Sequence, residues 1–511
     1  MRWFKNIRNV RIGGFIGLLI LFLTGCDQIK TPIKPSLNTQ PEHTLSRVLY
    51  GETFQLDPIF VTSSAYTAPL RDLLTGLMIF NNKGEVVSGV AENWQSEDGR
   101  TWVFYLKKNA KWSNNAPVTA QDFVLSWQRL ANVQNHSPLS DYLIYMGIKN
   151  AEAVILGQKF ATDLGIMAID QHIIKIELNR VNFQLPLMLA HSALLPTYQG
   201  KAPNLEEGFI SNGAYKLKKK EYNQLTLTAT QSSIPFQKVI YNRINSFNAL
   251  KNYDLIDNPS EEYSKNIVKL PKLCTSFYEF NFADPLMQRK PIRQAIKGML
   301  SVNKVVEKEG IPNSSILPNS MYFNETNHWK PIVVEELLAN ENITSKNPLK
   351  ITLTVDNQGN HYQIANNMVR SLCRSDLFTV DLKEVTWQDL LRIRERKQFQ
   401  MIRSGWCADF PDPVQFLTHF HSKSPDNKMS YKNEIVDKLL EQLEGNNLDF
   451  AERQNLLYQV IQQLEDDVVI LPLFQYQQNI ALDPSIKGVE SENSSGVIYS
   501  KDLYRVVSKS N

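Results

Sequence analysis

Seven consecutive positions, Arg403, Ser404, Gly405, Trp406, Cys407, Ala408 and Asp409, bring together a fixed cation, a glycine, an indole and a carboxylate. They follow a strand-like stretch at 399–402. A zwitterion needs an anion for its ammonium, a cation for its carboxylate and backbone groups for its amides. Asp409, Arg403 and a glycine that lets a second backbone approach meet those needs. A structural Arg403–Asp409 salt bridge beside a buried Trp406 accounts for the same residues equally well. Elsewhere, His419 and His421 would share one face of a strand, but with no third ligand in sight they read as a core-edge pair rather than a metal site. Cys373 would need a nearby base to act as a nucleophile, and an inert thiol is the simpler reading. The sequence has no GxSxG elbow, Walker loop, GxGxxG or HExxH, so no catalytic residue, metal or cofactor is assigned and the chain is read as a non-enzyme.

The elements that must position these residues alternate in type. Residues 46–62 read as a strand and a turn into a binding loop, and 66–81 have helical spacing. Residues 101–109 alternate as a half-buried strand. Thr119 caps a helix at 120–130. Strands follow at 173–178, 224–229 and 236–247, then a helix over 290–309. A strand at 349–355, a helix at 361–374 and a strand at 377–385 form a β-α-β crossover unit. Helices at 433–443 and 450–465 precede an apolar strand at 468–473. At roughly 100–200 residues per domain, 511 residues imply two to four α/β domains.

Charge narrows the function. The formal net charge is +3, but Arg2, Lys5, Arg8 and Arg11 stand in an acid-free start. Without them 51 basic residues face 52 acidic ones, a balance unsuited to nucleic acid. The apolar stretch 12–24 is shorter than the roughly 20 residues of a spanning helix and suits a signal peptide. It ends at Leu23, Thr24, Gly25 and Cys26, which resembles a bacterial lipobox. The resemblance implies cleavage before Cys26 and its acylation, with 26–45 as a polar, proline-bearing tether. In that pattern Asp27 favours the inner membrane, so the expected location is the periplasmic side of a bacterial cell membrane, lipid-anchored. Of the remaining cysteines, Cys274, Cys373 and Cys407, sequence alone allows three pairings.

Four motifs agree on one family. Residues 117–129 (PVTAQDFVLSWQR), 211–217 (SNGAYKL), Cys274 followed by 277–281 (FYEFN), and 403–409 (RSGWCAD) resemble the oligopeptide-binding proteins of ABC peptide permeases, in the family's order and from about residue 46 to the end. The resemblance implies a three-domain clamshell of the periplasmic-binding-protein fold, with two lobes joined by a hinge. Domain I would comprise 46–74, 199–273 and 478–511, domain II 75–198, and domain III 274–477. It implies that Asp409 holds a peptide's α-amino group and that Arg403 meets the carboxylate of short peptides. Gly405 and Cys407 would be backbone partners, Trp406, Trp387 and Tyr476 pocket walls, and Arg394 and His361 neighbours of the ligand's carboxyl end. Val61, Thr62 and Ser63, continuing to Ser64, would pair with the ligand as a strand. It implies a Cys274–Cys407 disulfide with Cys373 free, an inner-membrane permease as partner, and a monomer.

The departures lie in the pockets. Well-known members carry a glutamate where this chain has Thr62, a tyrosine where it has Leu139, and another aromatic at Phe277. The chain is also shorter around 230–260 and 310–345. The resulting expectation is a lipid-anchored carrier of short extended peptides, with no cofactor. The alternatives are a dedicated binder of murein tripeptide, glutathione or haem, or a surface interaction protein.

Overall fold

The computed structural model describes residues 44–506 apart from 51–53, 63, 206–207, 245–252, 260–262, 264–265, 322–332 and 446–447. Cys26, Asp27, the tether and Ser63 lie outside the described residues. An eleven-stranded mixed sheet dominates. Its order is Phe378–Val385, Leu349–Asp356, Met401–Cys407, Ile267–Phe280, Ile470–Leu482, Leu255–Asp257, Thr44–Tyr50, Lys238–Ile244, Gln224–Ala229 and Tyr215–Lys220, with Ile311–Pro312 added on Ile470–Leu482. A four-stranded antiparallel sheet of Ala91–Gln95, Thr101–Leu106, Ile173–Glu177 and Ile166–Asp170 stands apart.

Two long antiparallel strands join the two ends of the large sheet. Ile267–Pro271 pairs with Gln477–Ala481, and Thr275–Glu279 with Ile470–Gln475. Between Pro271 and Thr275 the register slips. Proline has no N–H to give a ladder, so the break falls where the chain can least sustain one. On one side the sheet continues into parallel strands around Thr44–Tyr50. On the other, Met401–Cys407 pairs with Cys274–Phe280. The predicted β-α-β unit closes that end, with Leu349–Asp356 and Phe378–Val385 parallel in register from Leu349↔Phe378. Separate apolar cores serve the two ends. One runs from Leu45 through Trp112 and Trp127 to Leu503, while two others flank the sheet beyond residue 273.

The 117–129 motif acts as a buttress. Thr119 Oγ1 accepts from the Asp122 N–H, Asp122 accepts in return from the Thr119 N–H, and Trp112 Nε1 donates to Asp122. This capping box starts the helix Ala120–Ala131. Trp127 donates to the Leu194 carbonyl. Arg129 grips Asp57 with two hydrogen bonds of 2.8 and 2.6 Å, fixing the turn Pro58–Phe60 that leads to Val61. In the 211–217 motif, Asn212 clamps both the N–H and the C=O of Thr75. A Cβ on Gly213 would stand 2.5 Å from the Asp72 carbonyl, so only glycine fits beneath that helix end.

Three elements differ from expectation. The helix spans Ser64–Leu73 and gives way to a strand at Met78–Phe80, because the Asn212 clamp ends it at Thr75. The 290–309 helix is two, Lys290–Met299 and Val302–Val306, separated by extended backbone at Leu300 and Ser301. The strand expected at 468–473 runs on to Leu482 through the polar stretch 475–479, whose side chains are partly absorbed by the strand pair.

Cys274 and Cys407 are direct cross-strand partners and form the disulfide, while Cys373 is free and exposed. The bridge spans 133 positions, a loop whose closure is worth about 4–5 kcal/mol on the chain-entropy account. Reduction is therefore expected to lower the melting temperature. Peptide mapping of the unreduced protein should return 274 linked to 407 and a single alkylatable thiol at 373; a linkage through 373 would contradict this pairing.

Candidate functional site

The strand Met401–Cys407 includes most of the cluster that the sequence placed just after a strand. Its alternation puts Arg403, Gly405 and Cys407 on one face, with Ile402 and Ser404 buried on the other. Gly405 lies against the neighbouring strand so closely that a Cβ would approach the Thr275 carbonyl to 3.1 Å. Ala408 and Asp409 leave the strand and line a cavity of about 240 Å³. Arg47, Arg71, Lys272, Gln478 and Ser494 also line it, so residues from both ends of the sheet meet there.

Asp409 is the singular group in this cavity. Its carboxylate is open to the cleft, yet the surrounding protein desolvates it and raises its pKa. It makes no salt bridge among the described residues, although Arg71 and Lys272 line the same cavity. Its backbone is held firmly: Gln415 Oε1 accepts from the N–H of Asp409 at 2.7 Å and from that of Phe410 at 3.3 Å. Gln415 Nε2 in turn donates to the Tyr145 hydroxyl at 2.8 Å, whose pKa is pushed up to about 12, chiefly by burial. The two acceptor bonds fix the loop, and the third ties it to the helix Asp141–Met146. Arg403 and Asp409 make no salt bridge with each other; Arg403 is paired elsewhere.

Arg403 gathers the predicted partners. Its Nη2 donates to His361 Nε2 at 3.0 Å and to the Tyr476 hydroxyl at 2.5 Å, and its guanidinium lies 5.7 Å from the Trp387 ring centre. A residue not singled out by the sequence completes the group. Asp356 is fully buried, accepts from His361 Nδ1 at 2.8 Å, and stands 3.7 Å from Arg403. Burial pushes the Asp356 pKa up, but the His361 bond and the Arg403 charge outweigh it and hold it below the usual carboxylate range. Asp356 ends a strand and His361 opens the next helix. That five-residue spacing was its only signal in the sequence.

Arg394 is committed differently from expectation. Its Nε and Nη2 hold the fully buried Glu279 at 2.7–3.0 Å. Ser404 donates to the same carboxylate at 2.9 Å, and His419 lies 3.7 Å away. A buried carboxylate demands such compensation, and Arg394 supplies it instead of waiting for a ligand. Burial raises the Glu279 pKa, but the His419 and Arg394 bonds overcome it and hold it low. His419 is thus a core residue on a short 3-10 turn, its ring centre 4.9 Å from that of Trp406 at a tilt of 50°, while His421 turns to Asp437 and Glu441. The indole N–H of Trp406 has no partner among the described residues. Val61 is buried with extended backbone, and Thr62 is exposed.

The chain matches bacterial extracellular solute-binding proteins, family 5, over residues 85–428, and it belongs to that family. A binding protein of Haemophilus influenzae is 40% identical over 96% of both chains. The periplasmic oligopeptide-binding protein OppA of Salmonella typhimurium is 29% identical over 96% of this chain and 97% of its own. The periplasmic murein peptide-binding protein MppA of Escherichia coli is 30% identical over 90% and 93%. The unliganded open form of MppA superposes with a TM-score of 0.84, covering 91% of this chain and 98% of that one. A second MppA structure, from Escherichia coli, gives 0.65 over 92% and 99%. Identity is 28% in both cases. The present structure has a multi-domain clamshell fold like that of these binding proteins.

Glu279→Gln is expected to destabilise the protein by about 3–5 kcal/mol, since it strands Arg394 beside His419 without a counter-charge. Urea unfolding checks this; a loss below about 1 kcal/mol would mean that the cluster contributes little.

Proposed function

We propose that this protein captures short extended peptides in the cleft between two lobes and delivers them to an ABC importer of the inner membrane. The observation that carries the proposal is Asp409, a desolvated carboxylate in the cleft that makes no salt bridge among the described residues. Keeping such a group costs stability unless an incoming cation repays it, and a peptide's α-ammonium is that cation. Arg403 stands on the same run of chain. Six residue steps of extended backbone span on the order of 20 Å. With the reach of both side chains subtracted, the gap suits a peptide of a few residues. Gly405 and Cys407, on the face between them, offer backbone groups for its amides.

In this reading Val61, Thr62 and Ser63 add a strand partner, and Trp406, Trp387 and Tyr476 form walls. His361 flanks the carboxyl end, and Arg394 acts through Glu279. Domain I comprises 46–74, 199–273 and 478–511, domain II 75–198, and domain III 274–477. The register break at 271–275 serves as the hinge on which the lobes close. Cys26 carries lipid, Asp27 retains the monomeric protein at the inner membrane, and binding rather than catalysis is the activity. Lipid-anchored carriage fits the sequence start. Among the described residues no helix is long and apolar enough to cross a membrane.

Asp409→Asn should weaken peptide binding by about 2–5 kcal/mol, because a buried ammonium loses its counter-charge. It should not lower the melting temperature of the ligand-free protein at neutral pH. An acid whose pKa is raised by folding opposes the folded state while ionised, so removing the charge relieves that cost. The relief fades as pH falls through the raised folded pKa and is gone below about 3.9, where the unfolded carboxyl is protonated too. Calorimetry with tripeptides and a melting curve read the two effects separately, and unchanged affinity would sink the assignment. Native mass spectrometry of the protein as purified tests the ligand class. A ladder of short peptides supports the proposal, and one discrete mass points to a dedicated ligand such as murein tripeptide. Empty protein that ignores a peptide library refutes peptide carriage.

A further inference from the structure

The group around Arg403 is electrically complete before any ligand arrives. Arginine nitrogens only donate, so the 3.0 Å contact from Arg403 Nη2 requires a lone pair on His361 Nε2. The ring proton then sits on Nδ1, pointing at Asp356 Oδ2, 2.8 Å away. His361 is therefore neutral in this arrangement, and the single positive charge of Arg403 is matched by the negative charge of the Asp356 carboxylate. Asp356 is fully buried, and the side chains of Arg403 and His361 are only 11% and 16% exposed.

A carboxylate brought to this site meets a net charge of zero. Binding it would place two carboxylates around one guanidinium in a poorly solvated pocket. The group has one way to restore balance. If Arg403 turns from His361 to the ligand, Nε2 loses its donor and is free to take a proton. The imidazolium then stands between two anions, with Nδ1–H on Asp356 and Nε2–H available to the ligand carboxylate. Other titratable groups around the ring do not offer this. Tyr476 already accepts from Arg403, and burial pushes the Tyr278 hydroxyl well up. Glu309 is exposed and bonded to Asn360 at 2.6 Å, Glu307 is bonded to Asn367, and Trp387 does not titrate.

We propose that Asp356 and His361 make recognition of an anionic ligand terminus at Arg403 proton-coupled, with one proton taken up by His361 as the carboxylate binds. The inference rests on the reading of this cleft as a peptide site. It makes Asp356 a positioning residue that fixes the His361 tautomer and supplies the counter-charge for its cationic form. Affinity for free-carboxylate peptides then rises as pH falls, since the bound state holds the extra proton more tightly than the free state.

The test uses an equimolar Ala-Xaa-Ala tripeptide mixture and the same mixture amidated at its carboxyl end. Calorimetry of the intact protein in phosphate and in Tris, which differ in ionisation enthalpy, counts protons. Free acids and amides alike take up the fraction of a proton needed to make the α-amino group that Asp409 holds an ammonium, and the free acids are expected to take up close to one proton more. Affinity for the acids, relative to the amides, should rise about three- to tenfold per pH unit between about pH 8 and about pH 6.5. His361→Gln should abolish the difference between acids and amides in both uptake and pH profile. Asp356→Asn should bind the acids more tightly than the parent at about pH 8, because Arg403 is then uncompensated. Binding of the acids without uptake, or equal uptake by acids and amides, overturns proton coupling alone. Failure of the parent protein to bind either mixture at any pH overturns the peptide reading and this inference together.

Discussion

One antiparallel strand pair carries the architecture. Ile267–Phe280 and Ile470–Leu482 are long enough to belong to both ends of the large sheet. At each end they are flanked by strands that reach no further. The ladder slips between Pro271 and Thr275, so the two ends share covalent continuity but not continuous hydrogen bonding. That combination permits relative rotation with little loss of packing, because each end keeps its own apolar core. The disulfide lies within the slip, at Cys274, and locks Met401–Cys407 to the central pair. That strand is thereby tied firmly into its own end of the sheet.

Charge is distributed by the same logic. The buried carboxylates Glu279 and Asp356 are charge-paired within the end of the sheet that holds them, by Arg394 and by His361 with Arg403. Asp409 is the exception, held by its backbone through Gln415 while its side chain is left unpaired. Gln415 also reaches Tyr145, so the unpaired carboxylate is positioned from two parts of the molecule at once.

Local signals were legible where near neighbours decide the structure. Thr119 and Asp122 announce a capping box, and the helix begins at Ala120. Alternation marks Thr101–Leu106, and the 349–385 crossover follows from three short patterns in a row. The signals failed where a distant residue intervenes. Leu77 extends the helical spacing past Leu73, but Asn212 ends that helix from 137 positions away. Polar residues 475–479 do not read as a strand, yet the facing strand draws them into one.

The chemistry divides in the same way. The sequence by itself placed Arg403, Gly405, Trp406, Cys407 and Asp409 on one short run, because six covalent steps keep them near one another whatever the fold. It could not decide which of its charges remain free. Arg403 and Asp409 might have paired locally, and Arg394 had no visible partner. Only the tertiary structure brings Glu279 to Arg394 across 115 positions and His361 to Arg403 across 42. Burial then forces the choice: a carboxylate sealed from water takes whatever cation the fold brings within reach, and the one left facing the cleft makes no salt bridge among the described residues.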